Sequence, residues 1–142
     1  MCGLDSSIDP MIQQSNHPSL LPARILVLGL GNDLLTDDAI GLNVAREIRR
    51  RLDNAQRSTL NAQLLDVQET SEMGLSLLDL ISGYDGLVVV DAVQTGQVAP
   101  GTVRELDLES LQVLPATAPH FLGLGEVIAL GRKLGMPMPG QV

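Results

Sequence analysis

The sequence predicts an α/β fold: three layers, with a mainly parallel twisted sheet flanked by helices. Three observations predict it. Short runs of branched apolar residues, Arg24–Leu30 (RILVLGL) and Leu87–Val90 (LVVV), read as strands, the first with the pattern of burial on both faces. Stretches with apolar residues at helical spacing separate them, and the order strand, helix, strand, helix, strand yields a parallel sheet covered on both sides. A length of 142 residues suits one domain with a substantial core.

Residues 1–23 are polar, carry three prolines and show no periodicity, so they are expected to form a flexible arm preceding a domain over residues 24–142. After the first strand, Gly31–Asp33 turns the chain. Thr36, Asp37 and Asp38 then precede a helix whose apolar residues Ile40, Val44 and Ile48 recur every four positions. Thr or Asp can cap that helix, and acids in its first turn complement the dipole. Ala62–Val67 reads as a second strand. Met73–Ile81 reads as a helix, with apolar positions 73, 77, 78 and 81. The Leu87–Val90 strand ends at Asp91. Beyond a Gly/Pro turn (Gly96, Pro100, Gly101), Thr102–Leu106 is expected as an edge strand. Phe121–Leu134 reads as helical, although Gly123, Gly125 and Gly131 each weaken a helix interior by about 1 kcal/mol. Turn residues, GMPMPGQV, close the chain.

Composition excludes several functions. Tyr84 and Phe121 are the only aromatic residues, so the core is aliphatic and no platform exists for stacking nucleobases. A net charge of −8 likewise argues against nucleic acid, whose phosphates need a basic patch. The arginines at 46, 49, 50 and 51 read as the polar face and C-terminal end of the first helix. A single cysteine, Cys2, rules out an internal disulfide and fits a reducing compartment. The first 23 residues lack the basic and apolar regions of a signal peptide, and no apolar run approaches the roughly 20 residues of a membrane span. A soluble, cytoplasmic protein is expected.

The chemistry narrows by elimination. Gly29 and Gly31 suggest the dinucleotide fingerprint G-x-G-x-x-G, but its third glycine falls on Leu34, so a tight turn explains them better. Cys2 could become an N-terminal nucleophile, as in class II glutamine amidotransferases, yet those enzymes follow it with a strand and here DSSIDP follows. Neither a G-x-S-x-G elbow nor an H-E-x-x-H zinc site occurs. What remains is Asp38, Asp91 and His120. Each has an ordinary structural role available: stabilising a helix N-terminus, capping a turn, or lying on the surface. Together, two carboxylates past the ends of parallel strands and a histidine from a third loop make an O,O,N donor set suited to a borderline divalent cation.

Three segments carry a family resemblance. Ile25–Ile48 (ILVLGLGNDLLTDDAIGLNVAREI) resembles the opening signature of the hydrogenase maturation proteases, G-x-G-N-x-L-x-x-D-[DE]-x-x-G. Glu69–Val93 is similar to their second block, ending in strand-terminal D-A, and Ala118–Leu124 (APHFLGL) to their third. The resemblance spans roughly Arg24–Leu134 and implies a twisted, largely parallel, phosphorylase/hydrolase-like sheet between helices. It implies an endopeptidase that removes the C-terminal extension of a [NiFe] hydrogenase large-subunit precursor once nickel is in place. Asp38, Asp91 and His120 are then the residues that meet metal and carry catalysis, with nickel brought by the substrate and no organic cofactor. The expected partner is the large-subunit precursor, with no nucleic acid and no membrane. Asp38 stands where many members carry Glu. The family continues past the point matched by Val142 with another strand and a long helix, so the domain is expected to lack them. A non-catalytic binder of the nickel-loaded precursor, or of metal, is the alternative; an ordinary α/β domain with incidental acids is the third reading.

Overall fold

The computed structural model describes residues 23–35, 38–55, 64–93, 96, 98–107 and 123–142. The strands are β1 (Ile25–Leu30), β2 (Leu65–Thr70) and β3 (Gly86–Val90). The helices are α1 (Ile40–Asn54), α2 (Leu77–Ile81) and α3 (Leu124–Lys133). The strands form a parallel sheet in the order β2-β1-β3, with Ile25 opposite Leu65 on one side and Gly86 on the other. The expected α/β architecture is therefore observed. The arm expected over residues 1–23 lies, Ala23 apart, outside the described residues.

β1 is central, and Leu26, Leu28 and Leu30 are completely buried. They point to one face, where Leu77 and Ile81 of α2 and Leu124, Val127 and Ile128 of α3 pack on them and on Leu87. Each such aliphatic side chain contributes about 1.5–3 kcal/mol of burial. Among the described residues, α1 covers the opposite face. A side chain on Gly29 would collide with the backbone of Gly41 and with Ala45, so the helix rests almost backbone to backbone on β1.

That close approach corrects one expectation. The buried residues of α1 are Gly41, Leu42 and Ala45, whereas Ile40 is half exposed. Val44 and Ile48 line a shallow outer groove with Asn43, Glu47 and Arg51. Small residues make the contact because bulky ones would hold the helix away. The expected side-chain cap is also not what starts α1: the cap position is Ala39, without a side-chain hydrogen bond, and no acid occupies the first turn.

Other boundaries shift. The second strand begins at Leu65, three residues later than Ala62, and runs on to Thr70; residues 62 and 63 lie outside the described residues. Among the described strands β2 lies at an edge, where Asp66, Gln68 and Glu69 are tolerated. The helix expected over Met73–Ile81 is a short 3-10 turn, Gly74–Ser76, leading into α2. Gly74 has φ of +60°, a left-handed conformation that ends any continuous helix from Met73. Thr102–Leu106 is irregular and pairs with no strand, since its side chains are mostly exposed and offer no apolar face to a sheet. Leu124 rather than Phe121 opens the last helix among the described residues, because Gly123 is left-handed at φ +94°. The closing segment does more than turn. Gln141 forms a parallel bridge with Gly86 and accepts the amide of Leu87 at 3.0 Å, on the outer edge of β3. No described helix is long and apolar enough to cross a membrane.

Candidate metal-contacting site

In the order β2-β1-β3 the chain leaves β1 toward one side and returns on the other, so the seam between β1 and β3 is the topological switch point. Ligands of open parallel sheets bind outside the carboxyl ends of the strands at such a point. Gly41 lies on this seam: a Cβ there would collide with the carbonyl oxygens of both Leu30 and Val90. Asp38 precedes α1 by two residues, and Asp91 is the first residue beyond β3. Both acids are partly buried, and both follow strands on either side of this seam.

The loop that delivers Asp38 is tightly wound. Asn32 donates its amide to the Asp38 carbonyl at 3.2 Å, and Asp38 donates to the Leu35 carbonyl at 2.9 Å. The Asn32 side chain accepts the Leu34 amide at 2.9 Å, an Asx turn, while Leu35 donates to the Asn32 carbonyl at 3.2 Å. Gly31 is required here, because a Cβ would strike the Asp38 carbonyl oxygen. Leu34 and Leu35 are left 90% and 59% exposed at the loop tip, beside the crevice rather than in the core. Asp91 accepts the Ala92 amide on Oδ1 at 2.8 Å, which orients its carboxylate at the strand end.

Sequence reasoning missed the charged clamp around this loop. Arg46 holds Asp33 with two parallel bonds, Nη1 to Oδ1 at 2.9 Å and Nη2 to Oδ2 at 2.7 Å. Its Nε lies 2.6 Å from Oε2 of Glu69 on β2, a contact of opposite charges that is not aligned as a hydrogen bond. Arg49 reaches the other Glu69 oxygen at 3.4 Å and donates to the Val67 carbonyl at 3.2 Å. The hydrogen bonds from Arg46 hold the Asp33 carboxyl below its usual range, partly offset by desolvation. Arg50 and Arg51 instead pair with Glu47 along the helix. The arginine cluster is thus a set of ion pairs, as its reading as a helical polar face anticipated.

His120 lies outside the described residues. Among those described, no group of three His, Cys, Asp or Glu side chains is assembled that could hold a metal. Of the three predicted donors, Asp38 and Asp91 lie among the described residues.

A parallel α/β domain with acidic residues placed past the carboxyl ends of the two strands at its switch point has the layout of a fold that works at its strand ends. Comparison with known proteins makes this specific: the chain belongs to the hydrogenase maturation protease family. The family profile of that description (HycI) matches residues 42–139. The chain is 33% identical over 114 residues to the hydrogenase 2 maturation protease of Escherichia coli K12, covering 79% of this chain and 65% of that protein. It is 37% identical over 115 residues to the hydrogenase expression/formation protein HupD of Thiocapsa roseopersicina, covering 79% and 48% respectively. The solved hydrogenase maturating endopeptidase HybD from E. coli superimposes with a TM-score of 0.61 at 31% identity, over 82% of this chain and 68% of that one. The chain therefore spans about half to two thirds of the length of the curated relatives it matches.

Proposed function

We propose that residues 24–142 form one domain that acts as an endopeptidase on the nickel-loaded large-subunit precursor of a [NiFe] hydrogenase, removing its C-terminal extension. The observation that supports this reading best is the placement of Asp38 before α1 and Asp91 directly after β3, on either side of the β1/β3 seam. Family membership supplies the reaction class, and the relatives are named for hydrogenase maturation. Cysteine usage favours a cytoplasmic setting.

In this reading nickel arrives as part of the substrate. Asp38 and Asp91 offer oxygen ligands to it and His120 a nitrogen, so the site tests whether the precursor carries its metal. Nickel docks the precursor tail and polarises the scissile carbonyl or a water molecule. Asp38 or Asp91 then takes a proton from the attacking water. The amide C–N bond breaks, and the proton passes to the leaving amine.

Mass spectrometry tests this directly. Incubation with nickel-loaded and nickel-free precursor is expected to give one truncation, in the nickel-loaded form only, and His120→Ala is expected to abolish it. Precursor that binds without being cut, by folded protein, would replace the peptidase reading with that of a binder.

A further inference from the structure

Asp38 follows a loop that is closed by hydrogen bonds among Asn32, Leu34, Leu35 and Asp38. Those bonds shape the loop from within, and its tip, Asp33–Leu35, is exposed. Arg46 joins it to two other elements. From α1 its guanidinium holds both oxygens of Asp33 and, through Nε, faces Glu69 near the end of β2. A planar guanidinium that engages a carboxylate at two points fixes direction as well as distance, which a lysine ammonium cannot do. Arg49 balances the other oxygen of Glu69, giving an alternating row Asp33, Arg46, Glu69, Arg49.

We propose that Arg46 is a positioning residue: by clamping Asp33 to α1 and β2 it sets the β1–α1 loop, and with it the place of the Asp38 carboxylate in the crevice. The cleavage readout rests on the endopeptidase reading; the structural readout does not. Exposure separates this role from one in global stability. The side chains of Arg46 and Asp33 are 43% and 58% exposed, and ion pairs so open to solvent contribute little to the folded state as a whole. A reacting group displaced by about 1 Å, in contrast, can lose up to about a hundredfold in rate.

The test combines Arg46→Ala, Arg46→Lys, Asp33→Ala and the Arg46→Ala/Asp33→Ala double variant. Amide hydrogen exchange is followed at Asn32, Leu34, Leu35 and Asp38, with the β1 amides as an internal reference. Arg46→Ala is expected to speed exchange of the loop amides about tenfold while β1 and Tm stay near wild type. It is expected to lower kcat for nickel-loaded precursor by about tenfold. Arg46→Lys should recover less than half of the lost rate, because charge without the fork does not orient the loop. The double variant should be no slower than the worse single one, as for two partners of one interaction. Wild-type loop exchange in Arg46→Ala would overturn the proposal. So would multiplying effects in the double variant, or a general loss of stability that accelerates β1 and the loop together. Should wild-type protein fail to cut the precursor while loop exchange still responds to Arg46, the peptidase reading falls and the clamp stands.

Discussion

The two ends of the sheet are built from the same strands and are used differently. At the N-terminal end, polar groups are paired with one another. Arg24 donates its amide to Asp85 at 2.7 Å, its guanidinium lies 4.7 Å above the Tyr84 ring, and the Tyr84 hydroxyl donates to Asp66 at 2.7 Å. The amide of Gly140 closes on the Asp85 carbonyl at 2.9 Å, tying in the end of the chain. At the C-terminal end two carboxylates flank a crevice, and apolar side chains of the adjoining loops, Leu34, Leu35, Met73 and Leu75, stand in solvent. One end uses its polar groups to hold strands together; at the other, the row Asp33, Arg46, Glu69, Arg49 ties the β1–α1 loop to α1 and β2, and the partly buried Asp38 and Asp91 stand past the strand ends. Parallel strands impose that division, since loops that can vary without disturbing the sheet gather at the carboxyl ends.

The largest effect should come from breaking the C-terminal end at its seam. Gly41→Ala places a methyl group against the carbonyl oxygens of Leu30 and Val90, backbone atoms that cannot swing aside. Calorimetry or denaturant titration should show a loss of about 3 kcal/mol, the upper range for overpacking. Cleavage should fall even at temperatures where the variant remains folded, because α1 must lift from both strands. Wild-type stability would show that the helix does not rest on that seam.

A smaller effect is expected from the other end. Tyr84→Phe removes the hydroxyl that Asp66 accepts and should cost about 1 kcal/mol, with cleavage unchanged. Burial, and then the hydrogen bond to Asp66, push the Tyr84 hydroxyl above its ordinary value of 10.0. A folded-state value raised above the unfolded one means that this stability is complete below pH 10 and is lost as pH rises through the higher folded value. Melting curves from pH 8 to 12 should therefore show the wild-type advantage over Tyr84→Phe shrinking on the alkaline side. A change in cleavage rate for this variant would mean that the two ends are coupled.

The contrast also explains what the sequence could convey. β1 and β3 were legible because each is an unbroken run of apolar residues, and Asp38 and Asp91 drew attention because they follow those runs. β2 was misplaced by three residues at its start: an edge strand admits Asp66, Gln68 and Glu69, which interrupt an apolar run. The contact face of α1 was misread because hydrophobicity weighs Ile40, Val44 and Ile48 above Gly41 and Ala45, whereas close packing on Gly29 demands small residues. The Arg46 clamp was hidden for another reason. Asp33 and Glu69 meet Arg46 only after a loop and a crossover have folded, so no local spacing announces it.

Cleavage of nickel-loaded precursor by Asp91→Asn, measured beside Asp66→Asn, tests the central claim most directly. Both substitutions neutralise one carboxylate of the sheet, at opposite ends. Asp91→Asn is expected to lower the rate by at least about a hundredfold with Tm nearly unchanged. Asp66→Asn, which disturbs Tyr84 and Arg24, is expected to lower Tm and leave the rate intact. Wild-type cleavage by Asp91→Asn would contradict the claim, and the crevice between β1 and β3 would then not be where this protein works.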